Sequence, residues 1–339
     1  MALYRTALCA ESKMSGYYND NVHVDTSEGP VLVRIPVPRA DQMDMRVWDE
    51  SDVLRAVSPR VDHTPRLLHV SSDPRFQIHE FVTGPQLNEL APRGVPVPPK
   101  VIPDVLALFD QLATVPRGEL PPLPVGWPDD GKCADFARML SGYTRRVFDG
   151  NQDEFGDLYR AFGIPDDPLA SIVATWSTIA PRPFRLVHAD VHRQNMIMSS
   201  RGVIFLDWEL ALWGDPVYEL AVHIHKMTYF DDELRTLLRG WEAMTKPSAA
   251  RSWHDDLTAY LRHERVKSAI VDSVRYTKEI LSEDISKARR ETLTDKLTGK
   301  LDAAGRIWGW RTGRSTHEVD DIITEWASER SHPSTRHPR

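Results

Sequence analysis

His188-Ala-Asp190-Val-His192-Arg-Gln-Asn195, followed by Asp207-Trp208-Glu209 twelve residues after Asn195, decides how this chain is read. Phe184-Arg-Leu-Val187 reads as a short strand running into a loop, and Asn195-Met-Ile-Met198 as a second strand. Ser199-Ser-Arg-Gly202 is a turn with glycine where positive φ is needed. Val203-Ile-Phe-Leu206 is a third strand and delivers Asp207 at its end. One hairpin therefore carries Asn195 and Asp207 at the same open edge, close to Asp190. That layout suits phosphoryl transfer from a nucleoside triphosphate to a hydroxyl, which asks little covalent chemistry of a protein. One carboxylate must receive the hydroxyl proton, and Asp190 supplies it. Hard oxygen donors must hold Mg²⁺, which takes one or two carboxylates at most, and Asn195 and Asp207 supply those.

Outward from the loop, residues 19–36 alternate as a β-hairpin turning at Thr26 to Pro30. Met45 to Val57 carries a helical apolar stripe. Arg66 to Val70 and Phe76 to Val82 form a second hairpin across Ser71 to Pro74, and Thr83-Gly84-Pro85 breaks it. The chain then turns helical. Pro103 to Val115 is amphipathic, and 116–131 is a Pro- and Gly-containing loop. Helices are predicted near 133–148, 152–162 and 167–178. Beyond the catalytic hairpins they are predicted near 217–229, 231–244, 252–282, 285–312 and 314–328.

The 339 residues are long enough for two domains with a real core, and the apolar share of 41 % is ordinary. No apolar run has the length of a membrane span, and the first residues do not read as a signal peptide, so no membrane is expected and the location expected is cytoplasmic. Cys9 and Cys133 are isolated and make neither a disulfide framework nor a zinc site. A formal charge of −7 without a basic stripe argues against nucleic acid as a partner.

The motifs resemble the aminoglycoside phosphotransferase family, the choline kinase-like branch of the protein-kinase-like fold. That family shows His-Gly-Asp-x-His-x-x-Asn, then Asp-(Trp/Phe)-(Glu/Asp), then Gly-Asp-Pro-x-x-Asp/Glu-Leu-Ala. Here stand His188 to Asn195, Asp207 to Glu209, and Gly214-Asp215-Pro216-Val-Tyr218-Glu219-Leu220-Ala221. Ala189 replaces the usual Gly, and Arg193 stands where Pro is common, where it adds positive charge near the phosphates. The resemblance implies an α+β, two-lobed fold. Its N-lobe (1–82) would be a small antiparallel sheet that binds nucleotide. Its C-lobe (83–330) would be larger, mainly helical, and hold the catalytic loop and acceptor pocket. Residues 331–339 read as a disordered tail.

The resemblance also assigns roles. Asp190 is the base, His192 faces the transferring phosphate, and His188 braces the loop by hydrogen bonding. Arg34 on a strand pairs with Glu50 on the next helix to hold phosphates, with Asp49 the runner-up for Glu50. Ser15 and Gly16 lie in a phosphate loop between the first two strands. Glu80 and Val82 mark the hinge that reads the base, with Val33 and Ile197 or Ile204 above and below it. Trp208, Glu209, Trp213, Tyr218 and Glu219 cluster after the metal ligand. Carboxylates and aromatic faces of that kind recognise a cationic ligand, and Glu264 and Asp272 would line the far wall. His223 would lie near that pocket. The implied reaction uses Mg²⁺ and ATP or GTP. The acceptor expected is an antibiotic, an aminoglycoside or a related nucleoside or peptide compound, with resistance as the consequence. Alternatives are a metabolite kinase acting on choline, homoserine or a sugar, and a nucleotide-binding pseudokinase.

Overall fold

The structure is a computed structural model that describes residues 1–10, 14–15, 19–37, 46–245 and 253–331. The chain forms two compact units. The first joins Met1–Gly131 to Arg182–Trp253, and the second joins Lys132–Pro181 to His254–Arg339.

The first unit opens with helix α1 (Ala2–Leu8), then strands β1 (Met14–Ser15), β2 (Asn19–Thr26) and β3 (Gly29–Pro36). Helix α2 (Glu50–Val57) and strands β4 (Leu67–Ser72) and β5 (Arg75–Glu80) follow. The strands make one antiparallel sheet in the order β1-β2-β3-β5-β4. Register pairs Val22 with Val33 and Val33 with Ile78, so these three share a face. Leu3, Tyr4 and Ala7 of α1 cover that face, and Tyr4 stacks on Phe76 at 5.0 Å. The sequence reading implied a strand before the phosphate loop. A helix stands there instead, because Ala and Leu favour it and Leu3, Tyr4 and Ala7 fall on one side.

The other face of the sheet is polar. Asn21, Arg34 and Gln77 are in register on it, with His23, Leu32 and His79 one step along. This corrects the expectation for Val33, which is fully buried under α1. Leu32 is the apolar residue that shares Arg34's side, two positions away along a strand of period two. The α2 helix begins at Glu50, later than the apolar stripe suggested. Asp49 caps it by accepting from the Ser51 N–H at 2.9 Å. Met45 lies outside the described residues.

Helices α3 (Leu87–Leu90) and α4 (Val101–Leu112) complete the first stretch of this unit. Gly84 is required before them: at φ +144° a Cβ would sit 2.3 Å from the Met198 carbonyl oxygen.

The second unit begins with α5 (Cys133–Gly150), α6 (Gln152–Ala161) and α7 (Ala170–Val173). A long helix over 167–178 does not form. The β-branched Thr175 and Thr178 with Ser177 are weak helix formers, and a 3₁₀ turn at Trp176–Thr178 takes their place.

The chain returns to the first unit as β6 (Arg185–Val187), β7 (Met196–Ser199), β8 (Gly202–Phe205) and β9 (Leu212–Gly214). Strand β6 pairs with β9, and β7 with β8 across a turn where Gly202 has φ +118°. Helices α8 (Pro216–Met227) and α9 (Asp231–Met244) follow. Asp215 caps α8 by accepting from the Val217 N–H at 2.9 Å, and Arg182 holds its other oxygen at 2.5 Å.

Helices α10 (Trp253–Ile280), α11 (Lys287–Trp308) and α12 (Thr316–Ser331) finish the chain. In the second unit Phe155 stacks on Trp326 of α12 at 5.2 Å. The expected tail at 332–339 lies outside the described residues.

Candidate active site

The catalytic loop runs from β6 to β7 and turns on Ala189, whose φ is +59°. An L-residue with a Cβ is strained there by about 1–2 kcal/mol, and glycine is not. That is the physical content of the Gly-to-Ala departure. The Ala189 N–H donates to Glu219 Oε2 at 2.9 Å, which fixes the turn. Asp190 follows, nearly buried. Its Oδ2 accepts from Asn195 Nδ2 at 3.0 Å, and its Oδ1 is ion-paired with Lys226 Nζ. His192 Nδ1 accepts from the Gln194 N–H at 3.2 Å, which leaves the ring proton on Nε2, 3.4 Å from Asp190 Oδ1. Burial would raise the Asp190 carboxyl, but Lys226 and then His192 outweigh it and hold it well below the usual carboxylate range.

The second corner lies at the end of β8. The Leu206 N–H donates to the Asn195 carbonyl at 2.8 Å, so the two strand ends stay together. Asp207 then takes φ +66° and ψ +71°, a left-handed conformation that Asp tolerates better than most residues. Arg34 reaches it at 3.3 Å and holds Glu50 at 2.6 Å. Glu50 Oε1 also accepts from the Trp208 N–H at 3.0 Å, so strand, helix and turn lock through one carboxylate. Asp49 takes no part; it caps α2 and pairs with Arg75. Burial raises the Asp207 carboxyl, Arg34 opposes it, and Glu50 and Asp190 add to the rise. Such a carboxylate favours a cation beside it.

The donor set fits Mg²⁺. Among the described residues no cage of three or more His, Cys, Asp or Glu exists, and Mg²⁺ needs none when phosphates supply further oxygens. Asn195 and Asp207 would hold it. The Asp207 side chain keeps about a third of its surface open. Arg34 Nε is buried and has no partner among the described residues, an orphaned donor suited to a phosphate oxygen.

Helix α8 contributes three polar side chains at the spacing i, i+4, i+7. Glu219 holds the Ala189 N–H, His223 Nδ1 meets the Val191 carbonyl at 2.8 Å, and Lys226 pairs with Asp190. One helix face therefore grips three consecutive loop residues. Sequence reading missed Lys226, although polar periodicity on α8 carried the signal.

A family model described as APH, phosphotransferase enzyme family, matches residues 14–254. The chain belongs to this family. Thiamine kinase of Salmonella paratyphi B is 36 % identical over 77 residues, a stretch that covers 22 % of this chain and 26 % of that protein. The chain thus spans about a quarter of the length of the curated relatives it matches. Among solved structures, a Plasmodium vivax ethanolamine kinase is similar with a TM-score of 0.58 and 12 % identity, covering 85 % of this chain and 81 % of that one. A thermostable mutant of the aminoglycoside phosphotransferase APH(4)-Ia, in a ternary complex with AMP-PNP and hygromycin B, is similar with a TM-score of 0.50 and 18 % identity. That match covers 93 % of this chain and 94 % of the other. At these identities the likeness is one of fold, the protein-kinase-like fold. No helix among the described residues is long and apolar enough to cross a membrane.

The remaining candidates of this APH-family chain fall in varied places. His188 is buried against Trp208, ring centroids 4.5 Å apart, and neither ring nitrogen has a hydrogen-bond partner among the described residues. Its brace is packing, and burial pushes its pKa down to about 4. Arg193 points away from the phosphate side. Its guanidinium donates to the carbonyls of Ala91, Pro92, Val95 and Met227, at 2.5, 3.4, 3.0 and 3.2 Å, tying the loop to the segment after α3. Ser15 pairs with Asp20 in β1–β2, and Gly16 lies outside the described residues. Glu80 ends β5, where Arg201 holds it at 2.8 Å and Arg66 at 3.3 Å; Val82 is half-buried in the linker beyond. Ile197 is buried in β7 and bridges to Gln86, while Ile204 is buried in β8.

The proposed acceptor residues are inward-facing. Trp208, Tyr218 and Trp213 are buried, and the Trp213 carbonyl receives the Trp127 indole N–H at 2.9 Å. Glu209 is buried on the Arg34 side with Asn19 Nδ2 at 3.4 Å, and burial, then Asp207 and Glu50, push its pKa up to about 9. Glu219 serves the loop backbone, and His223 joins Val191 to the Tyr229 hydroxyl at 2.9 Å. In the second unit Glu264 is fully buried between His263 and Lys267, and Asp272 pairs with Lys300 at 2.7 Å.

Proposed function

We propose that this chain is a small-molecule kinase that moves the γ-phosphoryl group of ATP or GTP to a hydroxyl of an antibiotic, with Mg²⁺ as the metal. The observation that carries the reading is the convergence of Asp190, Asn195 and Asp207 with the Arg34–Glu50 pair. Each group has a task in phosphoryl transfer. The acceptor O–H donates to an Asp190 oxygen, and its proton ends there. The acceptor oxygen forms the new P–O bond as the bond from γ-phosphorus to the β–γ bridging oxygen breaks, and that electron pair leaves with the diphosphate. Because Asp190 is a weak base here, its main contribution is to aim the hydroxyl. A magnesium ion held by Asn195 and Asp207 would neutralise phosphate charge. Arg34 would hold non-transferred phosphates, and the polar sheet face with Leu32, His23 and Phe81 would receive the nucleoside. His23 and Phe81 lie 4.3 Å apart.

The presence of the whole constellation supports an enzyme over a nucleotide-binding pseudokinase. An antibiotic acceptor is favoured by the motif resemblance to aminoglycoside phosphotransferases and by a fold neighbour in complex with hygromycin B. A metabolite kinase is the second reading, favoured by likeness to a thiamine kinase and an ethanolamine kinase. Glu219 is engaged with the Ala189 N–H, Glu264 with Lys267 and Asp272 with Lys300, which favours an acceptor recognised by shape and hydroxyls over a polycation. The test is an acceptor screen with ATP and GTP, read as an 80 Da mass gain, about the mass of one transferred phosphoryl group. The Asp190→Asn variant should lower turnover on any hit by roughly 10²–10⁴-fold while nucleotide affinity holds. A panel that includes antibiotics and gains mass only on metabolites would reject the antibiotic reading.

A further inference from the structure

Both oxygens of the proposed base are already engaged. Asn195 holds Oδ2 at 3.0 Å and Lys226 holds Oδ1. An acceptor hydroxyl must therefore displace or share with one of them. Asn195 is fixed by its place in the 3₁₀ turn just before β7 and by a second bond, to the Asp190 carbonyl at 3.1 Å. Lys226 is a flexible four-carbon stem with about 29 % of its side chain open, in the last turn of α8. It is the group able to move.

We propose that Lys226 is a catalytic residue whose ammonium transfers from Asp190 to the oxygens of the phosphoryl group in flight. The reaction's own geometry places it there. A hydroxyl bonded to Asp190 sits within about 3 Å of the carboxylate, and the phosphorus it attacks lies about 3–3.5 Å beyond. A cation on the same carboxylate is then one side-chain swing from the transferring group. The loop's own basic residues do not fill this role. Arg193 is spent on four backbone carbonyls, and His192 presents a single Nε2 proton. Arg34 stands with Glu50 and Asp207 at the other corner. The movement has a second effect: it leaves Asp190 Oδ1 with the His192 Nε2 proton at 3.4 Å and opens its other lone pair to the acceptor proton. Charge is conserved in the exchange, since the ammonium leaves one oxyanion for another.

This inference rests on the phosphotransferase reading, and the test separates the two. Affinity is measured for Mg·ADP with and without aluminium fluoride, whose complex mimics the transferring phosphoryl; GDP replaces ADP if it binds tighter. In the unaltered chain aluminium fluoride should tighten binding. Lys226→Gln should lose at least about tenfold of affinity for the aluminium fluoride complex, the scale of a preorganised contact to developing charge, with Mg·ADP affinity held within twofold. Lys226→Arg should recover most of it. The loss must persist in an Asp190→Asn background, because a lysine that only partners the carboxylate would show no further effect once that charge is gone. A loss that vanishes in that background, or an equal loss for Mg·ADP, overturns the proposal. Absence of any aluminium fluoride effect in the unaltered chain overturns the phosphotransferase reading, and this inference with it.

Discussion

Two residues of the site hold left-handed backbone, and the structure treats them differently. Asp207, at φ +66°, belongs to a corner built from strands: β8 delivers it, β3 sends Arg34 to its carboxylate, and Glu50 closes the contact. Ala189, at φ +59°, belongs to a loop gripped from one helix by Glu219, His223 and Lys226. At the first corner the strained residue carries the function, and its side chain is what the partners bind. At the second the strained residue has no function of its own. It is bound through its backbone, and its neighbour Asp190 does the chemistry. The difference predicts that the corner fails by losing charge and the loop by losing geometry.

The largest effect is expected at the strand corner. Asp207→Ala should abolish Mg²⁺-dependent transfer more completely than Asn195→Ala, because a carboxylate neutralises metal charge and an amide only donates a lone pair. Initial rates across a magnesium titration decide it. If Asn195→Ala is the more damaged variant at saturating magnesium, charge is not what the corner supplies.

The helix-held loop should fail differently. Glu219→Ala leaves the buried Ala189 N–H without a partner, at about 1–3 kcal/mol of stability. It should also lower turnover by about 10²-fold, the scale of a misplaced reacting group. Glu219→Gln keeps an acceptor oxygen and should recover both. Thermal midpoint and turnover are measured on the pair; an unrecovered Gln variant would mean that the negative charge, not the hydrogen bond, holds the loop.

The same contrast marks what a sequence can reveal. Asp190, Asn195 and Asp207 sit within one loop and hairpin, so spacing alone brought them together. Arg34 and Glu50 required only a strand followed by a helix. The Lys226 contact was hidden because helix periodicity was read for apolar residues, while α8 carries its polar stripe inward. The face of Val33 was legible and misjudged: counting two positions back from Arg34 leads to Leu32. The inward burial of Trp208, Glu209 and Glu264 depends on packing between distant segments, which spacing does not encode.

Acid pH bears on the loop through two buried histidines. Burial pushes His188 and His223 down to about 4 from an ordinary 6.5, so both stay neutral in the folded chain. In the unfolded chain they bind protons below pH 6.5. Their contribution is therefore present above pH 6.5 and is lost as pH falls toward 4, up to about 3 kcal/mol for each group. Glu209, pushed up to about 9, acts in the opposite sense over the same range, so the two chains are compared: from pH 7 to pH 5 the thermal midpoint of the unaltered chain should fall relative to that of His188→Gln. An unchanged slope in the variant would place the acid sensitivity elsewhere.

The smallest effect is expected at Ala189 itself. In Ala189→Gly the left-handed strain of about 1–2 kcal/mol is released. Against it stand the greater freedom of the unfolded chain, about 0.4–1 kcal/mol, and the loss of a buried methyl, about 0.8 kcal/mol. The opposing sums nearly cancel, so denaturant unfolding should shift by no more than about 0.5 kcal/mol. At an ordinary buried alanine nothing offsets the last two terms, and the same change costs about 1–2 kcal/mol. A loss of that size at Ala189 would mean the Glu219 bond already absorbs the strain. The family's glycine would then reflect something other than backbone conformation. A near-zero shift, with turnover preserved, would show that the helix grip and not the residue at the turn sets the position of Asp190.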